Sequence, residues 1–591
     1  MIIKDCRYSF YQGEVSPGTG SDSALDFAAR CILKCEESHM KCQGNSSDPW
    51  RPTRLIDLGP PGTPFNPRLI TTENHRYPIP CYATLSHRWN GANIFQLKGG
   101  NLDDLHQTIP TDQLSKTFQE AFAASKNLGS RYIWIDSLCI VQDSPDDWEK
   151  EAAQMKNVYS NAKFNISATG AETGGDGLFF ERGSLAVVPF TLEVTQSGNQ
   201  TAWKPGRYRL VKPSLWSFNI SQAPLNQRGW VLQERVLAKR IVHFGRDQVF
   251  FECSQLDACE MFPDGLPETY LFRQRAQGAA SNGHFKRLDP ELDGGWLREE
   301  KSMDRLKSSP AFNRFSLWAE LVETYSALSL TKWEDKLIAF SGITKMAQQW
   351  PEMAGDGYLA GLWRQHLPYH MLWSRRKDGG LHTEPITYIA PSWSWASVQA
   401  PVTLHPVTDG ANEEILINIL EAETYPSGED ATGSVFGGYI KLRGFLRDAE
   451  FAVWPTDYFE GYRNHGNIMD RMRLSMEPRG PPANIIVWAD ETDKIAPEKP
   501  EQNRNKVSCL PVQVWQNDKG DRCTEGLILE QLEFDPSLFK RMGKFKIAVG
   551  AKDGRRVFYT VGDDVWEEAG VSARGVMLKA EVFSKKTITL V

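Results

Sequence analysis

RYIWIDSLCIVQDSPDDWEKEAAQMKNVYSNAKFNISA (131–168) holds two apolar, strand-like runs on either side of one helical signal. Arg131–Asp136 is β-branched and aromatic, the composition of a buried strand. Ser144-Pro145-Asp146-Asp147 then supplies a capping hydroxyl, a proline at the first helical position and acidic residues in the first turn. Trp148, Ala152, Met155 and Tyr159 continue as one helical face, and Lys163–Ala168 reads as the next strand. Upstream, CYATLS (81–86) is a further short apolar run, and Leu114–Leu128 carries a helical stripe that Gly129 can end. Strands alternating with helices predict an α/β domain with a mostly parallel sheet covered on both faces.

Outward from that core, 591 residues accommodate about two to four domains. The reading divides them into an N-terminal helical and loop segment (1–79), the α/β domain (80–260), an insertion with a helical region (261–390) and a β-rich C-terminal domain (391–591). Leu25–Met40 reads as a helix and Gly59–Pro67 as a surface loop. Asn226–Leu237 reads as a helix, followed by a hairpin of Lys239–Phe244 and Gln248–Cys253 around Gly245-Arg246-Asp247. Residues 264–312 are polar, as an insertion is. Helical patterns return at Phe315–Leu328, Trp333–Gln349 and Tyr358–Arg375. After PSWSWAS (391–397), short β-rich runs continue to the end, at 415–420, 439–446, 485–488, 512–515, 527–529, 545–549, 557–561, 577–583 and 587–591. They predict a sandwich or barrel. No repeat of fixed period is present, which argues against a propeller or solenoid.

Hydrophobic residues make up 41% and charged residues 24% of the chain, the balance of a soluble globular protein. Basic residues number 67 against 74 acidic, a net charge of −7, with no Lys/Arg block, so nucleic acid is not the expected partner. The first residues, MIIKDCRYSFYQGEVSPG, lack the apolar run of an export signal, and no stretch approaches a membrane span. Ten cysteines without a paired framework then read as reduced thiols of a cytoplasmic protein. Cys31, Cys35 and His39 at helical spacing, with Cys42 following, resemble a metal cluster. On one continuous helix, however, residues 31 and 42 lie about 16 Å apart along the axis. A packed helix face is therefore expected, and no metal ligands are assigned. The glycine-rich GAETGGDG (170–177) lacks the spacing of a phosphate loop and reads as a plain turn.

In a parallel sheet, sites form beyond the carboxyl ends of the strands. The first strand delivers Ser86, His87, Arg88 and Trp89 there, and the second delivers Asp136, Ser137, Cys139 and Gln142. Cys139 with His87 has the residue types of a nucleophile and its base, against the alternative of a buried inert thiol. Asp136 can orient a base or bind a ribose hydroxyl, or else cap the turn that follows. In the third segment, Arg228, Gln233, Glu234 and Arg235 lie beside Trp230, with Trp230 and Glu234 on one helix face. A carboxylate against an aromatic wall can have a raised pKa or steady a cationic ligand. The structural alternative is an ion pair tying the helix to the sheet, for instance Arg228 to Asp136.

Three stretches, YATLSHRWNG (82–91), RYIWIDSLCIVQDSPDDWEKEAAQMKNVYSNAKFNISATGA (131–171) and RGWVLQERVLAKRIVHFGRDQVFFEC (228–253), resemble the fungal heterokaryon-incompatibility (HET) domain in order, spacing and residue type. Cys35-x3-His39-x2-Cys42, Arg54-Leu55-Ile56-Asp57, Gly177-Leu178-Phe179, Tyr325, Thr331, Asp335, Gly361-Leu362-Trp363 and PSWSWAS add to the likeness. His87 departs from it, since the family often has tyrosine there. The domain itself would cover about residues 80–235. The resemblance implies non-self recognition and a fungal cell-death response. It also implies a distant similarity to TIR domains, some of which cleave NAD. On that analogy Glu234 is the first catalytic candidate and Asp136 the second, with Cys139 and His87 beside them. Ser86, Trp89, Arg228, Trp230 and Gln233 would line the binding site. No cofactor is required, and NAD is the candidate substrate. With no recognisable nucleotide-binding oligomerisation module or repeat sensor, triggering would come from an upstream recognition protein or from self-association. Two alternatives use the same residues: an enzyme of specialised metabolism acting on a small molecule through His87, Asp136 and Cys139, and a non-catalytic interaction module.

Overall fold

The computed structural model describes residues 2–4, 10, 16–43, 50–60, 63, 65–73, 79–89, 94–183, 186–195, 205–267, 286, 310–355, 357–376, 387–404, 413–453, 472–475, 486–489, 505–516, 522–549 and 584–591. The chain forms two compact units, Met1–Asp293 with Ala339–Met346, and Gly294–Ile338 with Ala347–Val591. Most of the polar insertion, the first strand segment's Gly91 and the runs expected at 557–561 and 577–583 fall outside the described residues.

The first unit is built on an eight-stranded sheet. Its strands are β1 (Arg54–Asp57), β2 (Arg68–Thr71), β3 (Ala83–Ser86), β4 (Tyr132–Trp134), β5 (Phe164–Ser167), β6 (Arg240–Phe244), β7 (Val249–Cys253) and β8 (Asp257–Cys259), in the order β8-β7-β6-β5-β3-β4-β1-β2. The three expected αβ strands are present. Every residue of β3, β4 and β5 is buried, which is why they read as apolar runs. The pairings β4–β3, β3–β5 and β5–β6 are parallel, in registers such as Ala83↔Ile133, Ser86↔Ser167 and Ile166↔Val242. The remaining pairings are antiparallel. The sheet is thus mixed rather than mostly parallel. Its edges are hairpins, whose connections are too short for the crossover that a parallel pair needs.

Helices α2 (Lys116–Asn127), α4 (Pro145–Ala153) and α5 (Met155–Ser160) connect the parallel strands. Ser115 and Ser144 cap the first two by accepting from the Phe118 and Asp147 amides, and Gly129 ends α2's turn at φ 80°. From β3 the chain passes through α2 to β4 on one side. It then passes through α4 and α5 to β5 on the other side of β3. This reversal makes the carboxyl end of β3 the topological switch point of the sheet, the position where crevices form in α/β folds.

Several buried ions lock the frame. Asp57 on β1 accepts two hydrogen bonds from Arg131, at 2.6 and 2.7 Å, and one from the Gly59 amide. Burial raises the Asp57 carboxyl, but these donors outweigh it and hold the group below the usual carboxylate range. Arg54 donates to the Cys139 carbonyl at 2.7 Å and pairs with Asp147, fixing the entry to α4. In helix α6 (Gly229–Leu237), Arg235 makes a forked pair with Glu252 of β7, at 2.8 and 3.1 Å. Glu252 also meets His243 Nε2 at 3.2 Å, and His243 Nδ1 meets the Thr169 hydroxyl at 3.0 Å.

Helix α1 (Asp22–Ser38) begins at the Ser21 cap and buries Ala24, Phe27, Ala28, Cys31 and Cys35. It does not continue to Met40. His39 is extended, at φ −92° and ψ 93°, and a single 3-10 turn follows at Met40–Cys42. The glycine-rich loop is a turn, as expected. Asp176 accepts from the Glu172 and Thr173 amides, and a Cβ on Gly170 would lie 2.8 Å from the Arg246 nitrogen.

The second unit's first element among the described residues is a helix, Pro310–Ser326. Its segment 358–375 is not the expected helix. It forms a hairpin of Tyr358–Leu359 and Leu362–Trp363, a four-residue helix Leu367–His370 and a strand Ser374–Arg375. Ala360 and Gly361 both have positive φ, 43° and 99°, which makes a two-residue hairpin turn rather than a helix. The family-like landmarks meet here: Trp395 donates to the Gly361 carbonyl at 2.9 Å, and Trp373 to Trp393 at 2.9 Å.

C-terminally, Val435–Val453 pairs with both Ser584–Leu590 and Asn505–Gln516. The latter continues through Arg522–Leu532 and Asp535–Val549 back to Ser584–Leu590. The hydrogen-bonded circuit closes, so the β-rich region is a barrel.

Replacing Arg235 by leucine leaves Glu252 buried without its main partner. The expected loss is about 3–5 kcal/mol of stability in urea unfolding. Arg207→Leu, at the exposed pair with Glu193, is expected to shift it by less than about 1 kcal/mol.

Candidate functional site

Around the carboxyl end of β3 lie Ser86, His87 and Trp89 from the end of β3 and the segment after it, Asp136 from just after β4, Tyr159 from α5, Arg228 from just before α6 and Glu234 within it. Asp136 opens a four-residue helix, α3 (Asp136–Cys139), immediately after β4. One carboxylate oxygen accepts the Ser137 amide at 2.7 Å, within the first turn of that helix. The other accepts the Trp89 indole N–H at 2.7 Å and so fixes the orientation of that ring. Gln142 donates to the Asp136 carbonyl at 3.1 Å and steadies the turn from behind.

His87 is buried, with Nδ1 3.6 Å from Asp136 and its ring edge-on to Phe118 at 4.8 Å. Burial lowers its pKa below the ordinary histidine value, Asp136 opposes that shift, and Arg228 adds to it. It is therefore neutral at pH 7. Its Nε2 is buried and has no hydrogen-bond partner among the described residues. Arg228 precedes α6 and donates to the His87 carbonyl at 2.7 Å. The ion pair considered between Arg228 and Asp136 is not formed. The clamp that ties this helix to the sheet is Arg235–Glu252 instead.

Glu234 is the unusual group. Only 7% of it is exposed, it makes no ion pair among the described residues, and Oε2 is buried without a hydrogen-bond partner. Burial pushes its pKa up to about 7, and the nearby charge of Asp136 works in the same direction. The Ser86 hydroxyl, the Arg228 guanidinium and the Tyr159 phenol pull it down without cancelling the rise. Ser86 is positioned by a 2.9 Å hydrogen bond to the Asn165 amide, itself 2.9 Å from Thr84. Trp230, one turn before Glu234, packs edge-on against Trp148 at 6.2 Å.

Two candidates stand apart from this group. Cys139 is fully buried, and burial pushes its thiol up to about 12, so it is not a thiolate at neutral pH. The charges it feels most are those of Arg54, Glu151 and Asp136. This is the environment of a packing thiol. Gln233 lies against Gly342, where an added Cβ would be 2.6 Å from its Oε1. Sequence reasoning placed Tyr159 only on a helix's packing face. Its period was visible, but its approach to Glu234 depends on how α5 meets α6.

An unpaired buried carboxyl costs stability when ionised. Because the Glu234 pKa is raised on folding, the native state is disfavoured progressively as pH rises from the unfolded value of about 4.5 to about 7. Glu234→Gln removes that loss. The variant is expected to exceed the parent by on the order of 3 kcal/mol at pH 8, and the difference should vanish near pH 4. Urea unfolding at the two pH values measures it, and equal stability at both would remove the argument for an ionisation strained by burial.

Residues 82–234 match the family model described as heterokaryon incompatibility protein (HET). No curated protein and no solved structure matches the chain. The matched stretch begins just before β3 and includes every residue placed around its carboxyl end, from Ser86 to Glu234. Residues 82–234 of this chain, about a quarter of its length, are thus similar to the heterokaryon incompatibility (HET) family.

Proposed function

We propose that this protein is an effector of fungal incompatibility and cell death, and that its HET-like domain cleaves the nicotinamide–ribose bond of NAD at the carboxyl end of β3. The observation that carries this reading is Glu234, a desolvated carboxyl with no ion-pair partner among the described residues and a second carboxylate, Asp136, nearby. Such a pair gains most from an incoming positive charge. NAD brings one in its pyridinium ring, and its cleavage develops another on the ribose. The order of the parallel strands, with β3 between β4 and β5, supports the TIR-like analogy, which is a likeness of fold.

In this reading Trp89, held by Asp136, and Trp230 flank the nicotinamide. The bond between ribose C1′ and the pyridinium nitrogen breaks, and its electron pair neutralises the ring. Ionised Glu234 stabilises the oxocarbenium left on the ribose. Water adds to C1′ and releases its proton, giving ADP-ribose, nicotinamide and one proton. His87, neutral and buried, shapes the wall and carries no charge into the step. Cys139 has no part in it.

The test is nicotinamide release from NAD by the purified full-length protein, at low concentration and after forced self-association. Glu234→Gln is expected to lower the rate by about 100-fold or more while the protein remains folded. The parent's rate should rise with pH through about 7 as Glu234 ionises. Intact NAD in both states of association, or a Glu234→Gln variant as fast as the parent, overturns the reading.

A further inference from the structure

Away from the carboxyl end of β3, four metal-binding side chains converge at the antiparallel edge of the sheet. Cys35 lies in the last turn of α1, His39 just beyond it, Cys42 in the following 3-10 turn, and Cys253 is the last residue of β7. All four are buried, and their ligand atoms lie within 4.8 Å of one another. His39 Nδ1 is 3.3 Å from the Cys253 sulfur. All three cysteines are free thiols.

The backbone is shaped to this cluster. The His39 amide donates to the Cys35 carbonyl at 3.2 Å, and the Cys42 amide to the His39 carbonyl at 3.0 Å. That wraps the segment 35–42 into a cup. The Lys41 amide donates to the Gln255 side chain at 2.8 Å and closes the cup over the end of β7. The objection that residues on one helix are spread too far along its axis does not apply. The helix ends at Ser38, Cys31 stays behind in the core, and the fourth ligand comes from a strand.

We propose that Cys35, His39, Cys42 and Cys253 bind one zinc ion in a closed, structural Cys3His site. Three thiolates and an imidazole in a tetrahedral, water-excluding arrangement are a donor set for zinc. Tetrahedral zinc sets its sulfur ligands about 3.8 Å apart, which the cluster reaches by a small contraction. The bound unit would carry one net negative charge, and Lys34 and Arg240 are the positive side chains acting on its histidine. The ion would close a loop from the N-terminal helix to β7 and hold α1 against the sheet. It also gives a physical role to Cys35-x3-His39-x2-Cys42. This inference does not depend on the NAD reading.

The test is the metal content of the full-length protein, purified without chelator from zinc-replete cells. About one zinc per chain is expected by elemental analysis and native mass spectrometry. Cobalt in its place should give the intense visible bands of a tetrahedral thiolate site. Cys253→Ser and His39→Ala are expected to weaken zinc retention by about 10-fold or more against a competing chelator, whereas Cys31→Ser retains it. If the variants fail to fold, stepwise modification of the parent's thiols decides instead, because zinc should leave as the three site cysteines react. A parent protein without zinc, a disulfide within the cluster, or equal loss from Cys31→Ser overturns the proposal.

Discussion

Inside the first unit, Arg235 and Glu252 meet as a forked ion pair with both side chains almost wholly withdrawn from solvent. The site depends on this contact. Two charges taken out of water need close geometry and further hydrogen bonds, and His243 and Thr169 supply them. The pair fixes helix α6 on the sheet in one rotation. One residue earlier on that helix, Glu234 is thereby held at the strand ends whether or not its own surroundings favour a charge. The strongly paired carboxylate sets the position of the unpaired one.

The contrast extends across the unit. Asp57 has Arg131, Glu252 has Arg235, and Glu260 has Arg182 and the Val249 amide. Each is a buried acid provided with donors, as stability requires. Glu234 has the Ser86 hydroxyl and the Tyr159 phenol beside it and feels the Arg228 charge, but makes no ion pair among the described residues. Asp136 lies between these extremes. It is satisfied by Ser137 and Trp89, yet close enough to raise the energy of a second negative charge. A frame that pairs Asp57, Glu252 and Glu260, but leaves Glu234 raised by burial as it also leaves Glu151 of α4, places electrostatic cost at the carboxyl end of β3. That cost is the physical basis for binding a cation there.

At the sheet's other edge the same economy of burial operates through sulfur. Three thiols and an imidazole sit where apolar side chains would otherwise fill the space, between α1 and β7. Cys31, one turn away on the same helix, shows the ordinary fate of a buried cysteine, as a member of the hydrophobic core.

What the sequence determined by itself is local. The apolar runs at Cys81–Ser86, Arg131–Asp136 and Lys163–Ala168 declared strands because their residues are buried on both faces. Ser144-Pro145 declared a helix start because capping is a contact over three residues. The HET likeness was legible for the same reason, since its motifs are short and contiguous. Where a tertiary contact competed with local pattern, the pattern misled. Tyr358–Arg375 has helical spacing but turns at Ala360-Gly361, where both residues have positive φ and Trp395 packs against the turn. Only the tertiary structure decided which charges pair, that Arg235 rather than Arg228 is the clamp, that Tyr159 faces Glu234, and that Cys253 joins Cys35, His39 and Cys42. These choices link residues distant in the chain, and burial, which makes each of them costly or favourable, is a property of the folded whole.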